Sequence, residues 1–175
     1  MNPSRAEIRE LGEDDVLVFR DLRARALADH PGWFGESHEA FVNRPIEDVA
    51  RAMTSDQRFT LGAFDQGILV GMARCSRGVG VKDAHKAMVT SVYVDPAARG
   101  KGVGKSLMNS LFEAVRRWPD VEELRLTVVV GNIGARQLYR SLGFEVWGTE
   151  PRAMKIGDKY VGEEHMFLLL DDRAG

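Results

Sequence analysis

The chain has 175 residues, 44% of them apolar and 29% charged, with a formal net charge of −2 at pH 7. These figures fit a globular protein of one ordinary domain, residues 1–175, with no overall attraction for nucleic acid or an anionic membrane. The single cysteine, Cys75, excludes an intrachain disulfide and a cysteine-based zinc site, and no apolar run approaches the ~18 residues that span a bilayer.

Met1 to Glu7 lacks the apolar stretch of a secretory leader, so the expected location is cytoplasmic. Ile8 to Leu11 reads as a short first strand. From Asp14 the residues Val16, Phe19, Arg20, Leu22, Arg23, Ala26 and Leu27 recur at threes and fours, which predicts a helix, and Pro31-Gly32 stops it. A looser segment, Trp33 to Glu39, precedes a second helical stretch from Pro45 to Met53. Phe59–Phe64 and Ile68–Cys75 read as a hairpin around the turn residues Asp65-Gln66-Gly67. Met88–Val94 is β-branched and aromatic, hence a strand, ended by Asp95-Pro96. Val103, Leu107, Leu111 and Val115 make one apolar helical stripe that stops at Pro119. Leu124–Val130 is another strand, and Ile133–Leu142 a helix closed by Gly143. Phe144–Trp147 and Tyr160–Leu170 read as the last strands, joined through Pro151 to Asp158. The central β-α-β unit should form a parallel, right-handed crossover.

Strand, glycine loop and helix, in that order, make a recurrent anion site. Free N–H groups at a helix start face the ligand, and glycines let the backbone come close to phosphate oxygens. Arg99-Gly100-Lys101-Gly102-Val103-Gly104 has this form, with two cations added. Gly104-Lys105-Ser106 resembles the end of a P-loop, but Arg99 stands where the first glycine belongs and the strand stops at Val94. The dinucleotide fingerprint needs G-x-G-x-x-G, and Gly100, Gly102 and Gly104 give G-x-G-x-G. Further on, Asn132 is placed to cap the next helix, and Asn132, Ala135 and Tyr139 share one of its faces.

Arg99 to Gly104 resembles motif A of the GNAT acetyltransferases, Arg/Gln-x-x-Gly-x-Gly/Ala, and Asn132 to Phe144 resembles their motif B, Asn-x-x-Ala-x-x-Leu-Tyr-x-x-x-Gly-Phe. The resemblance covers the chain firmly from Val89 to Phe144. It implies an α/β (α+β) acyl-CoA N-acyltransferase fold, with a central, mixed, mostly antiparallel sheet flanked by helices. Met88–Val94 and Leu124–Val130 would be its splayed parallel pair. It also implies acetyl-CoA as cosubstrate, with the pyrophosphate on the loop amides and the pantetheine arm against the main chain of Val92 and Val94. The implied cofactor contacts are Val92, Tyr93, Val94, Arg99, Gly100, Lys101, Gly102, Val103, Gly104, Lys105, Ser106, Asn132, Ala135 and Tyr139. Tyr139 takes the family's role of acid toward the CoA thiolate.

The general base stays open. The strand before the loop carries no carboxylate, and Thr90 and Ser91 only suffice to hold a water. Candidates are Glu36, His38 and Glu39, and Glu163, Glu164 and His165, or no residue at all. The acceptor is expected to be a small-molecule amine or a protein amine, with Trp33 and Phe34 placed to cover it. His30, His38, His85 and His165 are scattered without a metal-binding pattern, so no metal is expected. A homodimer stays open. The competing readings are a non-catalytic acyl-CoA sensor of the same fold and a P-loop-like nucleotide-binding module.

Overall fold

The computed structural model describes residues 6–170. Met1 to Arg5, part of the stretch read for a leader, lies outside them. The elements in chain order are β1 (Glu7–Glu10), α1 (Val16–Asp29), α2 (His38–Val42), α3 (Ile46–Met53), β2 (Arg58–Asp65), β3 (Ile68–Arg77) and β4 (Lys86–Val94), then α4 (Val103–Val115), β5 (Glu123–Val129), α5 (Ile133–Ser141), β6 (Glu145–Ile156) and β7 (Lys159–Leu169). They build a seven-stranded sheet in the order β1-β2-β3-β4-β5-β7-β6. Only β4 and β5 run parallel within it; the other neighbours are antiparallel.

Two apolar layers sandwich the sheet. On one face α4 seats Leu107, Met108 and Leu111, all 0% exposed, against Ala63, Ala73, Cys75 and Val89. On the other, Phe19, Leu22, Ala26 and Leu27 of α1 cover Leu69, Met72 and Tyr93. Each large side chain so buried contributes about 1.5–3 kcal/mol. Cys75 is part of this packing; burial pushes its thiol up to about 12, so it is an inert small hydrophobe.

The site is positioned by the way β4 and β5 part. They pair at Lys86–Glu123, Ala87–Leu124 and Met88–Arg125, and no further. Beyond that point β4 stays paired with β3 as far as Gly71–Val94, and β5 with β7 as far as Val129–Glu163. Each strand is held by its outer neighbour while the inner edges diverge. A bulge sharpens the bend in β4: between the pairs Met72–Tyr93 and Arg74–Thr90, Ser91 and Val92 face Ala73 alone. Ser91 takes φ 55°, a left-handed conformation that a serine holds only where its surroundings impose it.

Two expectations need correction. The segment Trp33 to Glu39, read as loose, ends in the short helix α2, which begins at His38 because Ser37 Oγ accepts from the Ala40 amide at 3.1 Å and starts a turn that the apolar pattern does not announce. The last hairpin is longer than Phe144–Trp147 suggests: β6 runs through Pro151 to Ile156, and the turn lies at Gly157-Asp158. Proline is tolerated there because β6 is the sheet edge and its register slips between Glu150 and Met154. Among the described residues no helix is long and apolar enough to cross a membrane.

Candidate active site

At the open end of the β4–β5 gap the chain turns from strand to helix through the glycine loop. Asp95 Oδ1 accepts from the Ala97 amide at 3.0 Å and closes a single 3-10 turn, Pro96–Ala98. That turn separates the strand from the loop, unlike a P-loop, where strand runs directly into glycine. Gly100 and Gly102 have φ of 75° and 79°, values that glycine alone adopts without strain. Gly102 caps α4 without a side chain, and the first bond of the helix is Ser106 N–H to Gly102 O, at 3.0 Å. The amides of Val103, Gly104 and Lys105 come before it and have no acceptor within the helix, which leaves them for an anion.

A cavity of about 530 Å³ lies over this helix end. Val92, Tyr93, Val94, Arg99, Gly100, Gly102, Val103, Gly104, Lys105, Asn132, Ala135 and Tyr139 all line it. Lys101 and Ser106 do not; Lys101 is exposed and Ser106 belongs to the first turn of α4. The cavity adds Trp33, Ala98, Ile133, Gly134 and Leu138. The side chain of Arg99 folds back: its Nε donates to Val94 O at 2.9 Å, and its Nη2 lies 3.2 Å from His30 Nε2. One lone pair of the Val94 carbonyl is therefore already used. His30 stacks flat on Trp33, with centroids 3.8 Å apart, and burial followed by the Arg99 charge lowers its pKa.

A second, smaller cavity of about 260 Å³ opens on the other side of the gap. Arg23, Phe34, Gly35, Thr90, Ser91, Thr127 and Glu163 are among its walls. Trp33, Val92, Asn132, Ala135 and Tyr139 line both cavities, so the two meet there. Asn132 Oδ1 accepts from the Ala135 amide at 3.2 Å and fixes the start of α5. Tyr139, two turns in, is 5% exposed and packs edge-on against Phe144, with centroids 5.9 Å apart. Burial raises its pKa above the usual 10, which keeps the hydroxyl protonated.

The structure separates the six candidate bases. Only Glu163 lines the smaller cavity. Burial, and secondarily the Glu150 charge, raise its pKa, with His165 opposing. Glu36 is bound by Arg23 and Arg44. His38 and Glu39 are exposed on α2. Glu164 is held by Arg136, whose Nε lies 2.9 Å from Oε2, and this bond lowers its pKa. His165 lies 3.4 Å from Glu150 and against Trp147. Arg23 is a site residue that sequence reasoning missed; the signal was an arginine within the apolar stripe of α1.

A larger cavity, about 690 Å³, lies beside the C-terminal half of α4 and Trp118, away from the glycine loop. Its charged residues Glu113 and Arg116 pair with each other at 3.4 Å, which gives it no reactive group. Among the described residues no cluster of three or more His, Cys, Asp or Glu could hold a metal.

The chain is 33% identical over 106 residues to the N-alpha-acetyltransferase RimI of Mycobacterium tuberculosis, a match covering 61% of this chain and 64% of that protein. It thus spans less than two thirds of that relative's length. It is 25% identical over 166 residues, 95% of each chain, to an L-methionine sulfoximine/L-methionine sulfone acetyltransferase of Pseudomonas paraeruginosa. In fold it is similar to yncA of Salmonella typhimurium, solved with its cofactor acetyl-CoA, with a TM-score of 0.83, 22% identity and 98% of both chains covered. Residues 19–144 match the Acetyltransferase (GNAT) family, and with the splayed sheet, the glycine loop and the Asn132–Phe144 helix in place, the chain belongs to that family.

Proposed function

We propose that this protein is an N-acetyltransferase that moves the acetyl group of acetyl-CoA to a primary amine by direct attack. The observation that carries the reading is the meeting of two cavities at Tyr139, one over the free amides of α4 and one reached from Glu163. Acetyl-CoA fits the larger one: the helix amides suit a pyrophosphate, and the diverging edges of β4 and β5 leave main-chain groups that need partners. When bound, it supplies an activated acetyl thioester.

The chain's own groups would do the rest. Val92 and Val94 offer main-chain groups to the arm, the loop Arg99 to Lys105 holds the phosphates, and the small Ala135 leaves room beside the thioester. Glu163, with its pKa raised by burial above the usual carboxylate value, takes the proton that the attacking amine must lose. Tyr139 holds a proton at Oη for the departing thiolate. Burial makes the hydroxyl a weaker acid, but the same dry surroundings make a thiolate a stronger base, so the transfer keeps its driving force. The RimI relative is named as an N-alpha-acetyltransferase and the Pseudomonas one as an acetyltransferase of L-methionine sulfoximine and L-methionine sulfone, names that fit acetyl transfer to an amine.

The test is thermal unfolding with acetyl-CoA and with ATP-Mg, followed by thiol release on adding amines. At ~100 times its dissociation constant a ligand adds about 2.7 kcal/mol of stability. A midpoint shift with acetyl-CoA alone and amine-dependent thiol release support the proposal. A shift with ATP alone overturns it.

A further inference from the structure

Arg23 is a charge on the buried stripe of α1. Its side chain is 9% exposed, yet it lines the smaller cavity. Its guanidinium carbon lies 4.6 Å from the Phe34 ring centroid and its Nη2 lies 3.5 Å from Glu36 Oε2. Its Nη1 is buried and has no hydrogen-bond partner among the described residues. Glu36 cannot make up the difference, because Arg44 binds its other oxygen.

The charge balance around Arg23 tells the same way. Next to it Arg74, whose Nε donates to Thr60 Oγ1 at 3.2 Å, feels the guanidiniums of Arg58, Arg23 and Arg44 and, of carboxylates among the described residues, only Glu36. Burial first, then Arg58 and Arg23, lower Arg74 to about 10. Unpartnered buried donors and unbalanced buried charge both cost free energy, and an anion delivered to Nη1 relieves both. The planar guanidinium is shaped for a carboxylate. The opposite wall is acidic: Glu163 comes from β7, beyond β5, whereas Arg23 comes from α1, which packs over β3.

We propose that the acceptor carries its own carboxylate, as a free amino acid does, with that carboxylate on Arg23 Nη1 and its amino group turned toward Glu163 and Tyr139. The inference rests on the transferase reading and narrows it. A cavity of about 260 Å³ suits one small zwitterion. A polyamine or aminoglycoside brings only positive charge to Arg23, and a protein N-terminus has a peptide bond where the carboxylate would sit.

The experiment measures kcat/KM for thiol release from acetyl-CoA by the wild-type protein. The acceptors are the free L-amino acids, the α-amide of each, a short peptide with a free N-terminus, and spermidine. An acid and its amide share amine and side chain and differ in the carboxylate alone. The best acid should exceed its amide by about 100-fold or more, since a site built for a polar group rejects the analogue lacking it. Arg23→Gln should collapse that acid-to-amide ratio toward one, and Arg23→Lys should restore part of it. If Arg23→Gln does not fold, the wild-type ratio decides alone. Amides, peptide or spermidine used as well as the free acids overturn the inference and leave the transferase standing. Failure of every amine to raise thiol release, despite a midpoint shift with acetyl-CoA, overturns the transferase reading and this inference with it.

Discussion

Arg136 Nε lies 2.9 Å from Glu164 Oε2, and this contact joins α5 to β7. The pair therefore sets the spacing between Tyr139, one turn after Arg136, and Glu163, one residue before Glu164. Arg136→Met should lower kcat by about 10-fold or more through misplacement of these groups, while the acetyl-CoA midpoint shift persists. Arg136→Lys should recover part of the rate. A purely structural role predicts a lower unfolding midpoint with kcat unchanged. The Arg136 bond also lowers the Glu164 pKa, so its contribution to stability is present above the usual carboxylate range and lost as pH falls through the lowered value.

Tyr139→Phe removes the hydroxyl and keeps the ring against Phe144. The acid role predicts a fall in kcat of roughly 10²–10⁴-fold with acetyl-CoA affinity retained. Steady-state rates and a titration monitored by thermal shift check this. Wild-type kcat in the variant ends the acid assignment.

Glu163→Gln should trade activity for stability. The folded-state pKa of Glu163 is raised, so the native protein binds more protons than the unfolded chain between the ordinary and the raised value. Stability is lost as pH rises through that window, and the uncharged glutamine escapes the loss. The variant should unfold at a higher temperature than wild type at pH 7 and show a lower kcat/KM. The acid limb of the wild-type pH–rate profile should disappear with it. A lower midpoint at pH 7 contradicts this account.

Gly102→Ala forces a side chain onto φ 79° at the cap of α4. The strain should cost about 1–2 kcal/mol, read by chemical denaturation. The acetyl-CoA shift should shrink as well, because the amides of Val103 to Lys105 no longer hold their direction. Gly134, which also lines the cavity of about 530 Å³ and has open space beyond its Cα, is the control: Gly134→Ala should fold normally.

The glycine-loop side of the candidate site was legible in its local structure because it is built from local rules. A positive-φ glycine, an asparagine cap and a four-residue apolar spacing each act within a few residues, so Gly102, Asn132 and Leu107 could be placed from the chain alone. The acceptor side depends on distant contacts. Glu163 could not be told from Glu164 until the pairing with β5 put the first in the cavity and Arg136 took the second. Arg23 was hidden by its pattern, since a charged residue at threes and fours on a helix normally marks a solvated flank. Lys101 sits inside the recognised motif and Ser106 two residues past it, yet neither lines the cavity.

The three-pair seam between β4 and β5 has a mechanical consequence. It divides the sheet into two leaves, β1 to β4 and β5-β7-β6, joined by three residue pairs and by the buried cluster that runs beneath both. Helix α4 lies on the first leaf, against β2, β3 and β4, while the ion pair of Arg136 fastens α5 to the second. The free amides at the start of α4 thus stand on one leaf and Tyr139 on the other, and the two helices meet closely enough that a Cβ on Gly104 would lie 3.2 Å from Leu138. The distance between the two ends of the site is therefore set by packing across the seam, where Ala87 and Leu124 are buried and line neither cavity.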